Sequence, residues 1–154
     1  MVTKTELYAL DVSSFTNAIE SLDDQLRANQ EKLDDIAHAK EIISSNMQGQ
    51  SAQAMIAKLD ALEQKINDHI TSIQQTQAAI TTYRTNKQQL QRNVIDSVNR
   101  IELADFDVSD TWRVRPSHRL LDMLSPAQIG ARFLAAMKMQ VQLLALVNTF
   151  DRYD

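Results

Sequence analysis

The sequence contains no cysteine, only two glycines and only two prolines among its 154 residues. The absence of cysteine excludes disulfide bonds and thiolate chemistry. The scarcity of glycine and proline argues against a β-rich fold, which needs many turns. No run of 18 apolar residues occurs, so no membrane-spanning segment is predicted. The first residues also lack the basic and apolar regions of a cleaved signal peptide.

Charge and motif content argue against nucleic-acid binding and catalysis. The net charge of -4 is unfavourable for a non-specific nucleic-acid binder, which needs a basic face. There is no glycine-rich phosphate loop and no grouping of serine, histidine and aspartate, so no cofactor, small-molecule substrate or catalytic residue is predicted. His38 is expected in solvent, His69 partly buried at a helix seam, and His118 near a helix start. Asp35 and His38 have the spacing of a helical di-metal site, but both lie off the apolar stripe, so no metal is predicted.

Apolar residues with alternating spacings of four and three predict a first long helix, capped by Asp11 or Ser13 and ending near Ser45. Its stripe comprises Phe15, Ile19, Leu22, Leu26, Asn29, Leu33, Ile36, Lys40, Ile43 and Met47. Gly49 can adopt the left-handed conformation that ends a helix, and Ser51 can cap the next one. These signals predict a tight turn at Gly49.

The longest stretch without glycine or proline, 51–103, predicts a second and longer helix. Its proposed stripe comprises Met55, Leu59, Leu62, Ile66, His69, Ile73, Thr76, Ile80, Tyr83, Lys87, Leu90, Val94, Ser97 and Ile101. Two amphipathic helices joined by a short turn form an antiparallel hairpin, here over 11–103. The second helix is longer than the first by roughly 19 residues, or about 28 Å, and this overhang begins near Arg84.

The remaining chain is expected to cover this overhang. Residues 104–125 read as a connector with a short helix after Ser117, and Ser125-Pro126 is a strong helix start. An apolar helix over 126–150 then matches the overhang in length. The predicted fold is all-α: a single domain over 1–154, with an elongated antiparallel helical hairpin and a C-terminal helix packed on the overhanging half of the longer arm.

The C-terminal helix is apolar on more faces than one neighbouring helix can cover, which predicts a binding surface for a partner. The expected partner-binding residues are Leu90, Val94, Trp112, Phe133, Met137, Leu143 and Leu146. For Trp112, two interpretations stay open: an aromatic plug that anchors the connector, or an interface anchor beside Arg113 and Arg115.

Two segments carry a family resemblance. The letters LDVSSF at 10–15 open the first helix, and MQGQSA at 47–52, with Met47 and Gly49, forms the turn. This pattern resembles the WXG superfamily of type VII secretion substrates, and in particular the LXG domain, the N-terminal targeting module of Gram-positive toxins. The turn has Met47 where the family names have tryptophan or leucine. The resemblance covers about 1–103 closely and 104–154 loosely.

The resemblance implies a non-catalytic domain that binds small helical WXG-like proteins and presents a composite export signal to the type VII secretion machinery. It also implies export without a cleaved signal peptide, from a cytoplasmic state. Phe150 and Asp154 resemble the F-x-x-x-D export signal of LXG-associated partners, although Phe106 and Asp110 match the same spacing. The alternative to an export signal is that Phe150 closes the end of the helical bundle. The rival function is a self-associating coiled-coil scaffold.

Overall fold

The computed structural model describes residues 1–153, and its fold is all-α apart from one small sheet. The elements are, in chain order, α1 (Lys4–Tyr8), α2 (Ser13–Asn46), α3 (Gln50–Leu103), β1 (Phe106–Val108), β2 (Val114–Pro116), α4 (His118–Leu121) and α5 (Pro126–Arg152). The chain divides into two compact units. The hairpin unit comprises Ser13–Thr82, and the terminal unit comprises Met1–Val12 with the chain from Tyr83 onward.

In the hairpin unit, α2 and the first part of α3 run antiparallel, as predicted. Near the turn, the Lys40 ammonium contacts the carboxylates of Asp60 and Glu63 at 2.7 and 3.2 Å. Farther from the turn, the Gln77 amide donates to the backbone carbonyl of Ile19. The predicted stripe of α2 is buried or half-buried from Phe15 to Ile43, whereas Met47 beyond it is 41% exposed.

The seam of α3 follows a different phase from the predicted one in this unit. The positions shared by both phases, such as Leu59, Ile66 and Ile73, do face α2. The alternate positions were predicted one residue too early: Leu62, His69 and Thr76 are exposed, whereas Glu63, Ile70 and Gln77 are buried or half-buried. His69 is therefore a solvent-facing residue and not a partly buried one. Met55, also placed in the stripe, is 42% exposed, and Ala52 is buried instead.

The turn is built around Gly49, whose φ of 94° lies in the region that favours glycine. Helix α2 ends at Asn46 and α3 begins at Gln50, so Gly49 lies between two helices as predicted. Ser51 lies inside α3 and is not its cap, because the helix begins at Gln50, two residues earlier than a cap at Ser51 implies.

The core of the terminal unit joins α1, the distal half of α3, the sheet and α5. Its buried members are Leu7, Val94, Val98, Ile101, Phe106, Val108, Trp112, Val114, Ala136, Leu143, Val147 and Phe150. Apolar residues of α5 therefore cover those of α3 beyond Arg84, as predicted from the unequal helix lengths. Burying this apolar surface is the main source of the unit's stability.

The connector contains a β-hairpin that was not predicted. Inward and outward residues alternate on both strands, with Phe106, Val108 and Val114 buried and Asp107 exposed. The strands are antiparallel, and Asp107 lies opposite Arg115. Alternation over only three residues per strand is too short to separate a strand from an irregular connection in sequence.

The N-terminal residues are also part of the terminal unit, although the sequence shows little sign of this. The Thr3 hydroxyl caps α1, and Leu7 is fully buried. The backbone N–H of Lys4 donates to the carbonyl of Asp110 at 2.9 Å, which ties α1 to the turn of the β-hairpin. This segment therefore covers one side of the core of the terminal unit and holds the β-hairpin in place.

Helix α5 begins as predicted. The Ser125 hydroxyl accepts from the backbone N–H of Gln128, whose side chain accepts from the Ser125 N–H, and Pro126 occupies the first helical position. This capping box satisfies N–H groups that a helix start leaves unpaired. The short helix α4 ends at Leu121, earlier than the predicted Leu124, and the Ser117 side chain makes no capping hydrogen bond.

Candidate partner-binding surface

The residues predicted to bind a partner separate into three groups by burial. Val94, Trp112 and Leu143 are at most 1% exposed and lie in the core of the terminal unit. They cannot form part of an accessible surface, because the chain's own side chains cover them. Leu90 and Leu146 are half-buried against that core. Only Phe133 and Met137 are exposed, at 46% and 66%.

Trp112 acts as the internal anchor of the β-hairpin. Its indole N–H donates to the backbone carbonyl of Val2 at 2.7 Å, and its φ is 68°. The backbone N–H of Trp112 also donates to the Ser109 carbonyl. Buried tryptophan needs such a partner for its N–H. The buried position of Trp112 agrees with the aromatic plug and offers no support for the interface anchor.

The exposed apolar residues of α5 form one continuous face. Phe133, Leu134, Met137 and Val141 are 46–69% exposed and fall within about 100° of one another around a helix with 3.6 residues per turn. We call these four residues the outer face of α5. The residues that α5 buries in the core lie on an adjacent side of the helix, centred about 125° away: Ala136, Leu143, Val147 and Phe150. Clusters of large exposed apolar side chains on one surface are characteristic of binding sites.

From Pro126 to Phe150, the charged residues of α5 have a single sign. No aspartate or glutamate occurs from Pro126 to Phe150. Lys138 is exposed beside the outer face. The other cation, Arg132, is held by the chain itself: its guanidinium donates to the Ala104 carbonyl at 3.0 Å and lies 5.1 Å from the ring centroid of Phe106. The charged side chain of this stretch that borders the outer face is therefore a cation, Lys138, although the chain as a whole is acidic.

The C-terminal end of α5 is closed by contacts that the sequence did not reveal. The buried Lys87 ammonium donates to the backbone carbonyls of Phe150 and Tyr153 at 2.6 and 2.9 Å. The Tyr153 ring stacks on Tyr83 with centroids 5.4 Å apart, and the Asn86 amide donates to its hydroxyl. Positive charge at a helix C-terminus also opposes the partial negative charge there.

This closure bears on the predicted export signal. Phe150 is 4% exposed and packs in the core, so it is not available as a recognition residue. Its place agrees with the alternative in which it closes the bundle. Asp154 lies outside the described residues. The competing match at Phe106 and Asp110 is equally unavailable at its aromatic end, since Phe106 is 2% exposed.

The histidines do not assemble a site. His38 and Asp35 are exposed, as predicted, and His118 is exposed beside the start of α4. Within residues 1–153, no group of three histidine, cysteine, aspartate or glutamate side chains is placed to hold a metal ion.

Two members of the outer face, Leu134 and Val141, were missing from the prediction. Their spacing from Met137, three residues before it and four after it, is a helical signal that was readable in the sequence. It was obscured because the core-facing side of α5 is equally apolar.

By length and composition, α5 is sufficient to cross a membrane, with a mean hydropathy of 1.3 in its most apolar window. The sequence has no uninterrupted run of 18 apolar residues, and for that reason no membrane span was predicted. The core helix of a globular protein can meet the same criteria of length and hydropathy.

Comparison with known proteins found no matching family model, no matching curated protein and no matching solved structure.

Proposed function

We propose that this chain is a non-catalytic partner-binding domain whose outer face of α5 binds a small helical protein. The observation that carries the proposal is the exposure of Phe133, Leu134, Met137 and Val141 on one side of a helix that packs an adjacent side into the core. An amphipathic partner helix is the natural complement, because its apolar stripe can pack along the exposed one.

Charge favours a different protein over a second copy of the same chain. Two copies packed through this face would each place Lys138 beside the contact, with no acid from Pro126 to Phe150 to offset it. A partner helix with aspartate or glutamate beside its apolar stripe would instead place opposite charges around the contact. Such complementarity selects partners and speeds association more than it adds affinity.

The resemblance to LXG domains extends this proposal to a biological role. In that role the domain belongs to a type VII secretion effector, and the bound helical proteins complete a composite signal for export. Its support is the sequence pattern at 10–15 and 47–52, together with the helical hairpin that turns at Gly49. A separate export motif at Phe150 has no support, because that side chain is buried.

The test is co-expression with small helical proteins encoded in the neighbouring reading frames, followed by size-exclusion chromatography with light scattering. A complex of defined mass is expected. Leu134→Glu combined with Met137→Glu should abolish it, whereas Leu62→Glu, at a leucine 46% exposed in the hairpin unit, should not. For the secretion role, the same double variant should also lose export of the native effector.

Two results would overturn the proposal. One is a chain that remains monomeric with every such neighbour. The other is a homodimer, sensitive to the same double substitution, that forms without any second protein; this result would support the self-associating scaffold instead.

A further inference from the structure

The exposed side of the β-hairpin carries a cluster of basic side chains unrelated to the outer face of α5. Arg113 and Arg115 are two residues apart and exposed, which places both on the solvent side of the sheet. Together with His118 they line a concavity of about 370 Å³. Among residues 1–153, neither guanidinium has a hydrogen-bond or ion-pair partner.

The backbone beneath these side chains is held in place. The Ser109 N–H donates to the Arg113 carbonyl at 2.9 Å, and the Arg113 N–H donates to the Ser109 hydroxyl at 3.0 Å. The burial of Trp112 between them fixes the turn from inside the unit. A rigid base under two long side chains lowers the entropy lost when both contact one ligand.

The chemistry of the concavity suits an oxyanion. Two guanidinium groups can each donate paired hydrogen bonds to a phosphate, and the imidazole of His118 adds a further donor. The hydroxyls of Ser109 and Thr111 also line the concavity, 3.2 Å apart. One acid, Asp107, lies there as well, opposite Arg115 in the register, so the cations outnumber the acids.

The surroundings limit the kind of anion. On the surface next to these arginines, Glu102 and Asp105 line a second concavity together with Arg119. Asp110 lies in the turn of the β-hairpin. An extended polyanion such as a nucleic acid would meet these carboxylates as soon as it left the arginines. A compact group that concentrates its charge, such as phosphate with a charge of about -1.5 to -2 at neutral pH, would not.

We infer that Arg113, Arg115 and His118 form a binding site for a single phosphate group, presented either as free phosphate or as a phosphate monoester on a protein side chain. This site is independent of the proposed function, because it shares no residue with α5.

The test is an NMR titration of the ¹⁵N-labelled chain with sodium phosphate, at constant pH and with sodium chloride at matched ionic strength as the reference. Saturable shifts are expected at the backbone and Nε–H signals of Arg113 and Arg115. R113Q/R115Q should weaken binding at least about tenfold, since it removes the charge-assisted hydrogen bonds. R119Q removes the same charge from the neighbouring surface and should leave the affinity within about twofold.

A short phosphoserine peptide and its unphosphorylated form distinguish the two sources of phosphate. Tighter binding of the phosphopeptide than of inorganic phosphate assigns the site to a modified protein, and equal binding assigns it to the free ion. R113K/R115K keeps the charge but loses the paired donors, and it should bind with an affinity between those of the wild type and R113Q/R115Q. Shifts that chloride reproduces, or equal weakening by R119Q, would overturn the inference.

Discussion

Lys87 and Phe150 are joined at two points, one on the backbone and one on the ring. The Lys87 ammonium donates to the Phe150 carbonyl at 2.6 Å and lies 4.0 Å from the centroid of the Phe150 ring. A cation above an aromatic face and a donor to a terminal carbonyl both stabilise this end of α5. These contacts hold α3 at Lys87 against the last turn of α5.

Lys87→Met should therefore destabilise the terminal unit by about 2 kcal/mol, because it leaves the carbonyls of Phe150 and Tyr153 without their donor. Urea unfolding followed by the fluorescence of Trp112 measures this, since that residue is the chain's only tryptophan and is buried in the same unit. Lys65→Met, at an exposed position of α3, should stay within about 0.5 kcal/mol of wild type. Equal effects of the two substitutions would show that the Lys87 contacts contribute nothing.

Gly49→Val should destabilise the hairpin unit by about 1 kcal/mol or more, because valine is disfavoured at a φ of 94°. Gly130 provides the matched control: it lies inside α5, and an added Cβ would meet no atom within 4 Å. Gly130→Ala should be neutral or stabilising by up to about 1 kcal/mol, since alanine is the better helix former. Thermal unfolding followed by circular dichroism measures both, and a neutral Gly49→Val would contradict the turn geometry.

Ile70→Ala and Leu62→Ala test the phase of the seam in α3. Ile70 is 9% exposed and packs with Ile36 and Ile66, so its truncation should cost about 2–4 kcal/mol. Leu62 is 46% exposed, and its truncation should cost less than about 1 kcal/mol. Urea unfolding of the two variants gives the comparison. The opposite ranking would restore the phase predicted from the sequence.

The error in that phase has an identifiable physical cause. Leu59, Ile66 and Ile73 fit both phases, and the sequence offers Leu62 on one side of them and Ile70 on the other. The observed phase places polar Glu63 and Gln77 in the seam, which looks unfavourable in a single helix. Lys40 of α2 forms an ion pair with Glu63, and Asp23 of α2 accepts a hydrogen bond from Gln77. These polar contacts across the seam become visible only once the two helices are aligned.

The stripe of α2 was predictable almost completely, because Asn29 and Lys40 were its only polar members. The N-terminal helix and the β-hairpin were not predictable, since each is short and is stabilised by contacts distant in sequence, such as that between Lys4 and Asp110. The binding surface was predictable only as a surplus of apolar residues on α5. Which of them face outward depends on how α3, the sheet and α1 cover the other side.

The contact between Asp110 and Thr5 predicts a pH dependence of stability. Hydrogen bonds from the side chain and then the backbone of Thr5 lower the pKa of Asp110 below its ordinary 3.8. A lowered folded-state pKa stabilises the fold above the ordinary value, and this contribution disappears as the pH falls through the folded-state pKa.

Asp110→Ala should accordingly lower the melting temperature at pH 7, and its difference from wild type should shrink as the pH falls below 3.8. Adding Thr5→Val to Asp110→Ala should change little more, because the two substitutions remove the same contact. Calorimetry across this pH range measures both effects. A difference between Asp110→Ala and wild type that does not vary with pH would contradict the assigned role of the carboxylate.

The binding role of α5 is the central claim, and radical footprinting of the chain alone and in complex with a small helical partner tests it most directly. Oxidation of Met137, at 66% exposed, should fall strongly in the complex together with that of Phe133. Oxidation of Met47, exposed in the hairpin unit, should be unchanged. If Met137 and Phe133 are oxidised equally in the free and bound chain, the partner does not cover the outer face of α5, which contradicts the binding role of this helix.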